Sequence, residues 1–263
     1  MSYYLKRKIG RNVQIGVNVN VGRGTVIGDN SIIEDSVEIG DYVTIYPGAV
    51  IKEGAKIESY TIIGHPTKVE QRGFDFTKSN IETRLLVAER GPIVEKGVLI
   101  RSGSVIYRYV HIGENTVTGH NVVIREHTRI GERCVIGTGT ILDGYIRVGR
   151  MSMIQSCCYV AQTVEIGEGC FIAPLCVFLD NKRIVLGEGL KGAKIGRYVR
   201  IGGGCKILPG IMIEDYAFIG AGSVVSRNIP QRALAFGNPA KVKRFLSESE
   251  VKEFIESMLK WRV

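Results

Sequence analysis

The chain has 263 residues, with 35 lysines and arginines against 26 aspartates and glutamates, and a formal net charge of +9. Its 44% hydrophobic and 23% charged residues exclude a disordered chain and indicate a soluble globular protein. No apolar run approaches the roughly 18 residues of a membrane span, and the N-terminus lacks the apolar stretch of a signal peptide. We therefore expect a cytoplasmic protein whose charge favours anionic partners, such as phosphorylated small molecules or nucleic acid.

A hexad repeat runs through almost the whole chain. An aliphatic residue, which we call the landmark, recurs every six positions over residues 15–63, 100–178 and 195–225. Thr118 places a polar side chain in this otherwise apolar series. Glycine often follows the landmark, and a small or β-branched residue often lies four places after it.

A period of six fits neither a 3.6-residue helix nor a free-standing alternating strand. Three hexads make a triangular coil, and stacked coils pair as parallel strands about 4.8 Å apart. A sandwich or barrel would show strand spacings of roughly 8–12 residues and irregular turns. The repeat therefore predicts an all-β fold, a parallel β-helix of about ten coils.

Two breaks in the register predict loops that leave this helix. The first is a long inserted loop over about residues 65–97, and the second covers about residues 181–193. Long loops without a period of their own are usually functional or disordered. Loops also carry binding residues more often than the scaffold does.

The pattern ends after Val225, and a turn at residues 237–241 precedes a short predicted α-helix over residues 246–263. Ser247 and Glu250 form a capping box at its start. One apolar stripe of this helix is expected to pack against the last coil and close its open edge, in preference to serving as a recognition helix. The stripe consists of Val251, Phe254, Ile255, Met258 and Leu259.

Two hexads show the repeat most clearly, IGERCV at residues 130–135 and IGAGSV at residues 219–224. Through these hexads, and over roughly residues 12–245, the sequence resembles the hexapeptide-repeat acyltransferases. The resemblance implies a left-handed parallel β-helix over residues 1–245, followed by the helix over residues 246–263. It also implies assembly as a homotrimer.

Two further segments, LIRSGSVIY at residues 99–107 and TGHNVVIRE at residues 118–126, follow the long loop. They resemble the nucleotide-linked amino-sugar N-acetyltransferases of the dTDP-3-amino-3,6-dideoxyhexose type. The resemblance implies acetyl-CoA as acyl donor and a nucleotide-linked amino sugar as acceptor, with no metal, membrane or nucleic-acid partner. That subgroup usually has Thr-Asn-Asp after an aliphatic run, where this chain has Leu179, Asp180 and Asn181.

The cysteines and histidines do not show the spacing of a metal site. Five cysteines lie four residues after a landmark and are predicted to be buried fillers in a reducing compartment. They are Cys134, Cys158, Cys170, Cys176 and Cys205. Only Cys157 lies elsewhere, so the sequence does not favour a thiolate nucleophile.

His120 is the candidate catalytic base. Its hexad has the polar landmark Thr118, and places where a strong local rule fails are often functional. Two residues after the landmark, its side chain should point outward at a coil edge, where a trimer partner can approach; a solvated surface histidine would occupy the same position. A neutral imidazole can take the proton of an attacking amine, with a turn N–H as oxyanion donor. Asn121 is expected to orient the imidazole or the sugar.

The other candidates contact the two substrates. Ser102, Thr138, Ser156 and Pro174 share the column of His120 at 18-residue intervals and would line a track for the pantetheine arm. The candidate acetyl-CoA contacts are Ser156, Ala221, Lys241 and Arg244, with the two cations meeting its phosphates unless they form a solvated basic run. The candidate nucleotide-sugar contacts are Arg101 and Arg125, near the first loop, together with Asp180 and Asn181. Either arginine fits a surface charge equally well.

The sequence thus predicts an acetyl-CoA-dependent N-acetyltransferase in which a sugar amine attacks the thioester directly. An O-acetyltransferase acting on a sugar hydroxyl or on serine would use the same chemistry. A non-catalytic β-helical assembly protein is the alternative from a different class.

Overall fold

The computed structural model describes residues 8–67, 91–182 and 190–260, and its strands form three parallel sheets. Face A contains β1 (Lys8–Ile9), β4 (Val26–Ile27), β7 (Thr44–Ile45), β10 (Ile62–His65), β13 (Val105–Tyr107), β16 (Val123–Ile124), β19 (Ile141–Leu142), β22 (Tyr159–Val160), β25 (Val177–Phe178), β28 (Lys206–Ile207) and β31 (Val224–Val225). Face B contains β2 (Gln14–Ile15), β5 (Ile32–Ile33), β8 (Val50–Ile51), β11 (Ile93–Val94), β14 (His111–Ile112), β17 (Arg129–Ile130), β20 (Arg147–Val148), β23 (Glu165–Ile166), β26 (Lys194–Ile195) and β29 (Met212–Ile213). Face C contains β3 (Asn20–Val21), β6 (Glu38–Ile39), β9 (Lys56–Ile57), β12 (Leu99–Ile100), β15 (Val117–Thr118), β18 (Val135–Ile136), β21 (Met153–Ile154), β24 (Phe171–Ile172), β27 (Arg200–Ile201), β30 (Phe218–Ile219), β32 (Ala233–Gly237) and β33 (Ala240–Phe245).

The chain visits faces A, B and C in turn, so three consecutive strands make one coil of a triangular prism. The second residue of a typical strand is the landmark and points inward, as Ile45 and Ile136 do, while the first points outward. Each landmark pairs in register with the landmark of the next coil. The predicted all-β parallel helix is confirmed, and the architecture fits the left-handed form.

The turns at the edges of the prism use left-handed backbone. Asparagine tolerates this conformation better than most residues, and Asn30 and Asn115 adopt φ angles of 57° and 55°. Elsewhere ring side chains occupy the same turn position and stack from coil to coil. The rings of Tyr109, His127 and Tyr145 stack with centroids 4.7 Å apart. This stacking offsets part of the cost of the left-handed turns.

Both interruptions of the repeat leave the prism at the same edge, between faces A and B. The first lies between β10 and β11, and the second between β25 and β26. The expected loop boundaries at Gly97 and Ala193 are wrong, because β11 is already a rung of face B and Ala193 is buried in the core. Residues 68–90 and 183–189 lie outside the described residues.

The C-terminal end is closed by a hairpin that the sequence analysis missed. Strands β32 and β33 pair antiparallel, and β32 continues face C after β30. Residues 237–241 include the turn of this hairpin, with a cis peptide bond between Asn238 and Pro239. The hairpin, and not the helix, therefore covers the last strand of face C.

Helix α1 (Glu248–Lys260) packs beside the last coils of face C. Its capping box is confirmed, since the Ser247 N–H donates to Glu250 at 2.9 Å and the Glu250 N–H donates to the Ser247 hydroxyl at 3.2 Å. The predicted stripe is confirmed except at Leu259, which is 57% exposed. Met258 is buried, Val251 and Ile255 are partly buried, and the Phe254 ring lies 4.5 Å from the Arg200 guanidinium. Among the described residues, no helix has the length and apolar character needed to cross a bilayer.

Truncation of an inward landmark tests the stacking directly. Ile166 is 3% exposed, while its neighbour Glu165 is exposed and points outward. We expect Ile166→Ala to lower the free energy of unfolding by about 2–5 kcal/mol, because it leaves a cavity between two coils. Glu165→Ala should change it by less than about 0.5 kcal/mol. Urea unfolding of both variants measures this, and equal losses would contradict the inward assignment.

Candidate active site

His120 lies on the edge between faces C and A, in the turn that joins β15 to β16. Its N–H donates to the Thr138 hydroxyl of the next coil at 3.2 Å, and its carbonyl accepts the Gly139 N–H at 2.9 Å. These bonds fix the backbone of the turn, while 48% of the imidazole surface stays exposed. The side chain is thus held at an edge and open to solvent, as the sequence predicts.

The polar landmark before His120 has a local structural reason. Thr118 is fully buried, and its hydroxyl accepts the Arg101 N–H at 3.1 Å. At the equivalent position one coil earlier, the Glu58 N–H donates a hydrogen bond to the main-chain carbonyl of Ile100. Thr118 therefore replaces a carbonyl of the ladder with a hydroxyl, directly beside the turn of His120.

Glu58, which the sequence analysis missed, faces the imidazole. Its Oε2 lies 3.9 Å from Nδ1 of His120, too far for a hydrogen bond but close enough for the charge to act. The Ser102 N–H and hydroxyl donate to the same oxygen at 3.1 and 3.0 Å, and Arg101 Nη1 lies 3.8 Å from Oε1.

Partial burial of Glu58 raises the pKa of its carboxyl, but several groups oppose it. The two hydrogen bonds from Ser102 and the nearby charges of Arg101 and His120 together bring the pKa below its usual value. A charged carboxylate at this distance attracts a positive charge on the ring without a hydrogen bond. Glu58 and His120 therefore form a carboxylate–imidazole pair.

Glu58 directly follows a landmark on face C, just as Arg101 does in the next coil. The sequence signal was a glutamate at the turn position that shares an edge with His120. It was hidden because the first insertion lies between Glu58 and His120, and the repeat alone does not give the register across that insertion.

Asn121 stabilises the turn and makes no hydrogen bond to the imidazole among the described contacts. It adopts a φ of 55°, and its N–H donates to the Ser102 carbonyl at 3.0 Å. Its side-chain oxygen lies over Gly103 of the preceding coil, where a Cβ would collide with it. The structure thus gives Asn121 a clear role in turn geometry.

A column of small side chains runs along the edge from His120 toward the C-terminus. The registers of β15, β18, β21, β24, β27 and β30 stack the residues that lie two places after each landmark. We call these residues the His120 column: His120, Thr138, Ser156, Pro174, Gly203 and Ala221. Five coil steps at about 4.8 Å give a track of roughly 24 Å.

Of the two cations predicted to contact the phosphates of acetyl-CoA, one is free of ion pairs within the described part of the chain and the other is not. Lys241 is exposed on β33. Arg244 is held by Glu250, with Nη atoms 2.6 and 2.9 Å from the two carboxylate oxygens. The hydrogen bonds from Arg244 and from the Ser247 N–H lower the pKa of Glu250 to about 2, so this pair persists at neutral pH. Arg244 therefore fastens helix α1 to the hairpin.

The four predicted nucleotide-sugar contacts lie on two different edges. Arg101 is on the edge of His120, whereas Arg125, Asp180 and Asn181 are on the edge between faces A and B. The expectation that Arg101 and Arg125 face one ligand is therefore wrong for a single chain. Asp180 accepts the Gln162 N–H at 3.2 Å and so supports its own turn.

Arg125 is the centre of a half-buried charged cluster. Its guanidinium is 16% exposed and donates to Asp143 at 2.7 Å and to Glu126 at 2.7 and 3.1 Å. It also lies 5.7 Å from the ring centre of Tyr107. Burial and the hydrogen bond to Asp143 raise the pKa of Tyr159 to about 12. Two carboxylates thus already compensate the charge of Arg125.

The predicted environment of the cysteines is confirmed. Cys134, Cys158, Cys170, Cys176 and Cys205 are buried, and Cys157 alone is exposed. Burial raises the pKa of the Cys134 and Cys170 thiols to about 12, so neither forms a nucleophilic thiolate at neutral pH. Cys157 lies in the turn next to Ser156, beside the His120 column.

Comparison with known proteins agrees with this geometry. The bacterial transferase hexapeptide family (six repeats) matches residues 109–144 and 192–227, and the hexapeptide repeat of succinyl-transferase matches residues 8–35. A UDP-N-acetylglucosamine acyltransferase from Bacteroides fragilis has a TM-score of 0.54 at 18% identity, over 98% of this chain and 82% of that one. At this identity the likeness shows the fold.

Two curated relatives match shorter segments. The dTDP-3-amino-3,6-dideoxy-alpha-D-galactopyranose 3-N-acetyltransferase of Aneurinibacillus thermoaerophilus is 47% identical over 58 residues, 22% of this chain and 30% of that protein. The galactoside O-acetyltransferase of Lactococcus lactis is 41% identical over 74 residues, 28% of this chain and 31% of that protein. The chain spans about half or less of the length of the curated relatives it matches. The repeat, the fold and these matches agree, and residues 8–35, 109–144 and 192–227 carry the repeats of hexapeptide transferases.

Proposed function

We propose that the protein is an acetyl-CoA-dependent N-acetyltransferase that acts on the amine of a nucleotide-linked amino sugar. The observation that carries the proposal is the pair of His120 and Glu58 at the head of an open column of small side chains. The relative from A. thermoaerophilus, which by its name N-acetylates such a sugar, supports the choice of acceptor. The buried free cysteines suit a reducing cytoplasm.

The reaction needs a neutral amine aimed at the thioester carbonyl. The amine nitrogen attacks the carbonyl carbon and His120 takes one proton from it. The C–S bond then breaks, and the leaving thiolate takes that proton from the imidazolium, which releases the CoA thiol and restores neutral His120. Nδ1 of His120 faces Glu58, which leaves Nε2 to accept the proton. The negative charge of Glu58 then stabilises the imidazolium as it forms. Glu58 acts here as a positioning residue.

The acyl donor would lie along the His120 column. Its side chains are small from Thr138 to Ala221, and an extended pantetheine arm can follow a track of this length. Lys241 lies on the hairpin beyond the end of the column, and its positive charge can bind a phosphate. Arg244 contributes indirectly, because its pairing with Glu250 holds the hairpin and helix α1 together.

The acceptor would lie at the opposite end of the column, where Arg101 is available beside Glu58. The cluster around Arg125 is on a different edge of the same chain. Both edges border face A, so an assembly through face A would bring the Arg125 cluster of one chain toward His120 of the next.

Face A has the composition of such an interface. Its outward residues form an aliphatic, β-branched stripe over eight coils, interrupted by Thr44 and Tyr159. The stripe contains Val26, Ile62, Val105, Val123, Ile141 and Val177, all of them only partly buried within one chain. An exposed apolar stripe of this extent favours association. We propose a homotrimer assembled through face A.

An O-acetyltransferase is the second candidate, favoured by the match to galactoside O-acetyltransferase. A sugar hydroxyl would lose its proton to the same imidazole. A panel of amino-sugar nucleotides, galactosides and serine, tested for thiol release from acetyl-CoA, separates the two activities. No thiol release with any acceptor would leave a non-catalytic binding protein.

Removal of the imidazole should nearly abolish turnover. We expect His120→Ala to lower kcat by about 10²–10⁴-fold, the usual contribution of a general base. His111→Ala is the matched control, because His111 lies on face B, which does not adjoin the edge of His120, and its loss should leave kcat unchanged. Thiol release under saturating substrates measures this. A loss of less than threefold in His120→Ala would overturn the assignment of the base.

Neutralisation of Glu58 should have a smaller effect. A charge 3.9 Å from a partly exposed imidazole contributes about 1 kcal/mol, so Glu58→Gln should lower kcat roughly five- to tenfold. The KM for acetyl-CoA should not change, since Glu58 acts through His120. A rise in KM with an unchanged kcat would show that Glu58 binds substrate instead.

Acetyl-CoA should protect Cys157 from alkylation by iodoacetamide. Cys157 is exposed next to Ser156, so a ligand on the His120 column covers it, and we expect alkylation to slow at least fivefold. For the control, Arg133→Cys in a Cys157→Ser background puts a thiol at the same turn position on the edge between faces B and C, which does not border face A. Peptide mass spectrometry should show no protection there. Equal protection at both positions would contradict the track.

A charge on face A should break the assembly. Val123→Glu is expected to convert the trimer to monomers, measured by light scattering after size exclusion. Val50 is the corresponding outward valine of face B, and Val50→Glu should remain trimeric. A monomeric wild-type protein, or a trimeric Val123→Glu, would refute the interface.

A further inference from the structure

Face B carries an open groove of about 920 Å³ that the proposed reaction does not use. It runs along the coils from β14 to β26, away from the edge of His120. Two outward arginines, Arg129 and Arg147, form one wall and are direct register partners on neighbouring parallel strands. Glu132 and Arg150 lie on the opposite wall.

The floor of the groove is bare main chain. Gly113, Gly131, Gly149 and Gly167 follow four successive landmarks and line it. A Cβ on Gly131 would lie 2.6 Å from the Arg150 nitrogen, and one on Gly149 would lie 2.5 Å from the Glu168 nitrogen. The close approach of the next coil thus requires glycine at these positions. As a result, a ligand can approach the sheet without meeting side chains.

Arg129 and Arg147 have no acidic partner among the residues that the structure describes. Glu165, the register partner of Arg147 on the next strand, lies 3.7 Å from Lys194, and Arg150 lies 3.0 Å from Glu168 and 3.8 Å from Glu132. Glu114 also lines the groove but forms no ion pair with either arginine. Like charges directly opposite each other on neighbouring strands destabilise a sheet. Two guanidiniums one strand spacing apart and without an ion pair within 4 Å in the described structure therefore repel each other, and an anion that joins them relieves this repulsion.

The chemistry of that anion follows from the spacing and the donors. Strands about 4.8 Å apart let both guanidinium forks converge on one oxyanion group or on two linked ones. Planar forks match phosphate oxygens, and a dianion compensates both charges at once. His111, next to Arg129 on the same wall, is held by Glu95 at 2.8 Å and does not compete for the ligand.

We propose that Arg129 and Arg147 bind the phosphate or diphosphate group of a small molecule in the groove of face B. This site is separate from the His120 column, because the two lie on a face and an edge that do not adjoin. It does not depend on the proposed acetyl transfer. The phosphate can belong to a free inorganic ion or to a nucleotide.

Calorimetry with inorganic pyrophosphate tests the site, and a second titration with ADP separates the two sources. We expect Arg129→Ala/Arg147→Ala to weaken pyrophosphate binding at least tenfold. Arg227→Ala/Lys260→Ala removes the same charge from exposed positions outside the groove and should stay within twofold of the wild type. ADP binding tighter than pyrophosphate, lost in the same variant, identifies a nucleotide as the ligand.

Three results would overturn the proposal. The first is no pyrophosphate or ADP binding to the wild-type protein, and the second is an equal loss in both double variants. The third is a change of oligomeric state in Arg129→Ala/Arg147→Ala, which would place the two arginines in a subunit interface. An unchanged KM for acetyl-CoA in that variant is expected if the sites are separate.

Discussion

The stacking of inward landmarks determines the rest of the structure. Each landmark packs on the landmark one coil earlier, as Ile136 does between Thr118 and Ile154. Once this register is set, the turn residues of successive coils stack as well. A separation of one coil in the sequence then corresponds to a rise of about 4.8 Å along the helix axis. A chemical group at one edge can then be matched to a ligand that extends along that edge. The scaffold is rigid because nearly all its main-chain groups bond to the coils on either side.

The same register explains what the sequence could and could not predict. The all-β helix, the buried cysteines and the outward His120 follow from periodicity alone, because each depends only on its position within a hexad. Glu58 could not be found this way, since an insertion of unknown register separates it from His120. The hairpin of β32 and β33 was missed for a different reason: its strands lie outside the repeat, and only antiparallel pairing after the last coil reveals them.

The two edges that border face A carry different groups. Both insertions leave at the edge between faces A and B, where Arg125, Glu126 and Asp143 form a neutralised cluster. His120 lies on the edge between faces C and A, which has no insertion. A catalytic side chain on the edge without insertions is held in a fixed position by the coils on either side. Binding residues near the insertions can vary without disturbing the stacked coils. An assembly through face A would join these two functions, because both edges border it.

The net charge of +9 overstates the cations that a ligand can reach. Arg125 is compensated by two carboxylates, and Arg244 is bound to Glu250. The arginines that sequence reasoning selects as ligand contacts are therefore partly structural. The acids that pair with them are the next residue in the chain, a residue one coil away or a residue on another element. Among the described residues, Lys241, Arg129 and Arg147 have no such acid. An ion pair between coils stabilises the stack but removes a cation from ligand binding. In a stacked fold, the attraction for an anionic ligand therefore depends on the charges that remain unpaired between adjacent coils, and not on the net charge.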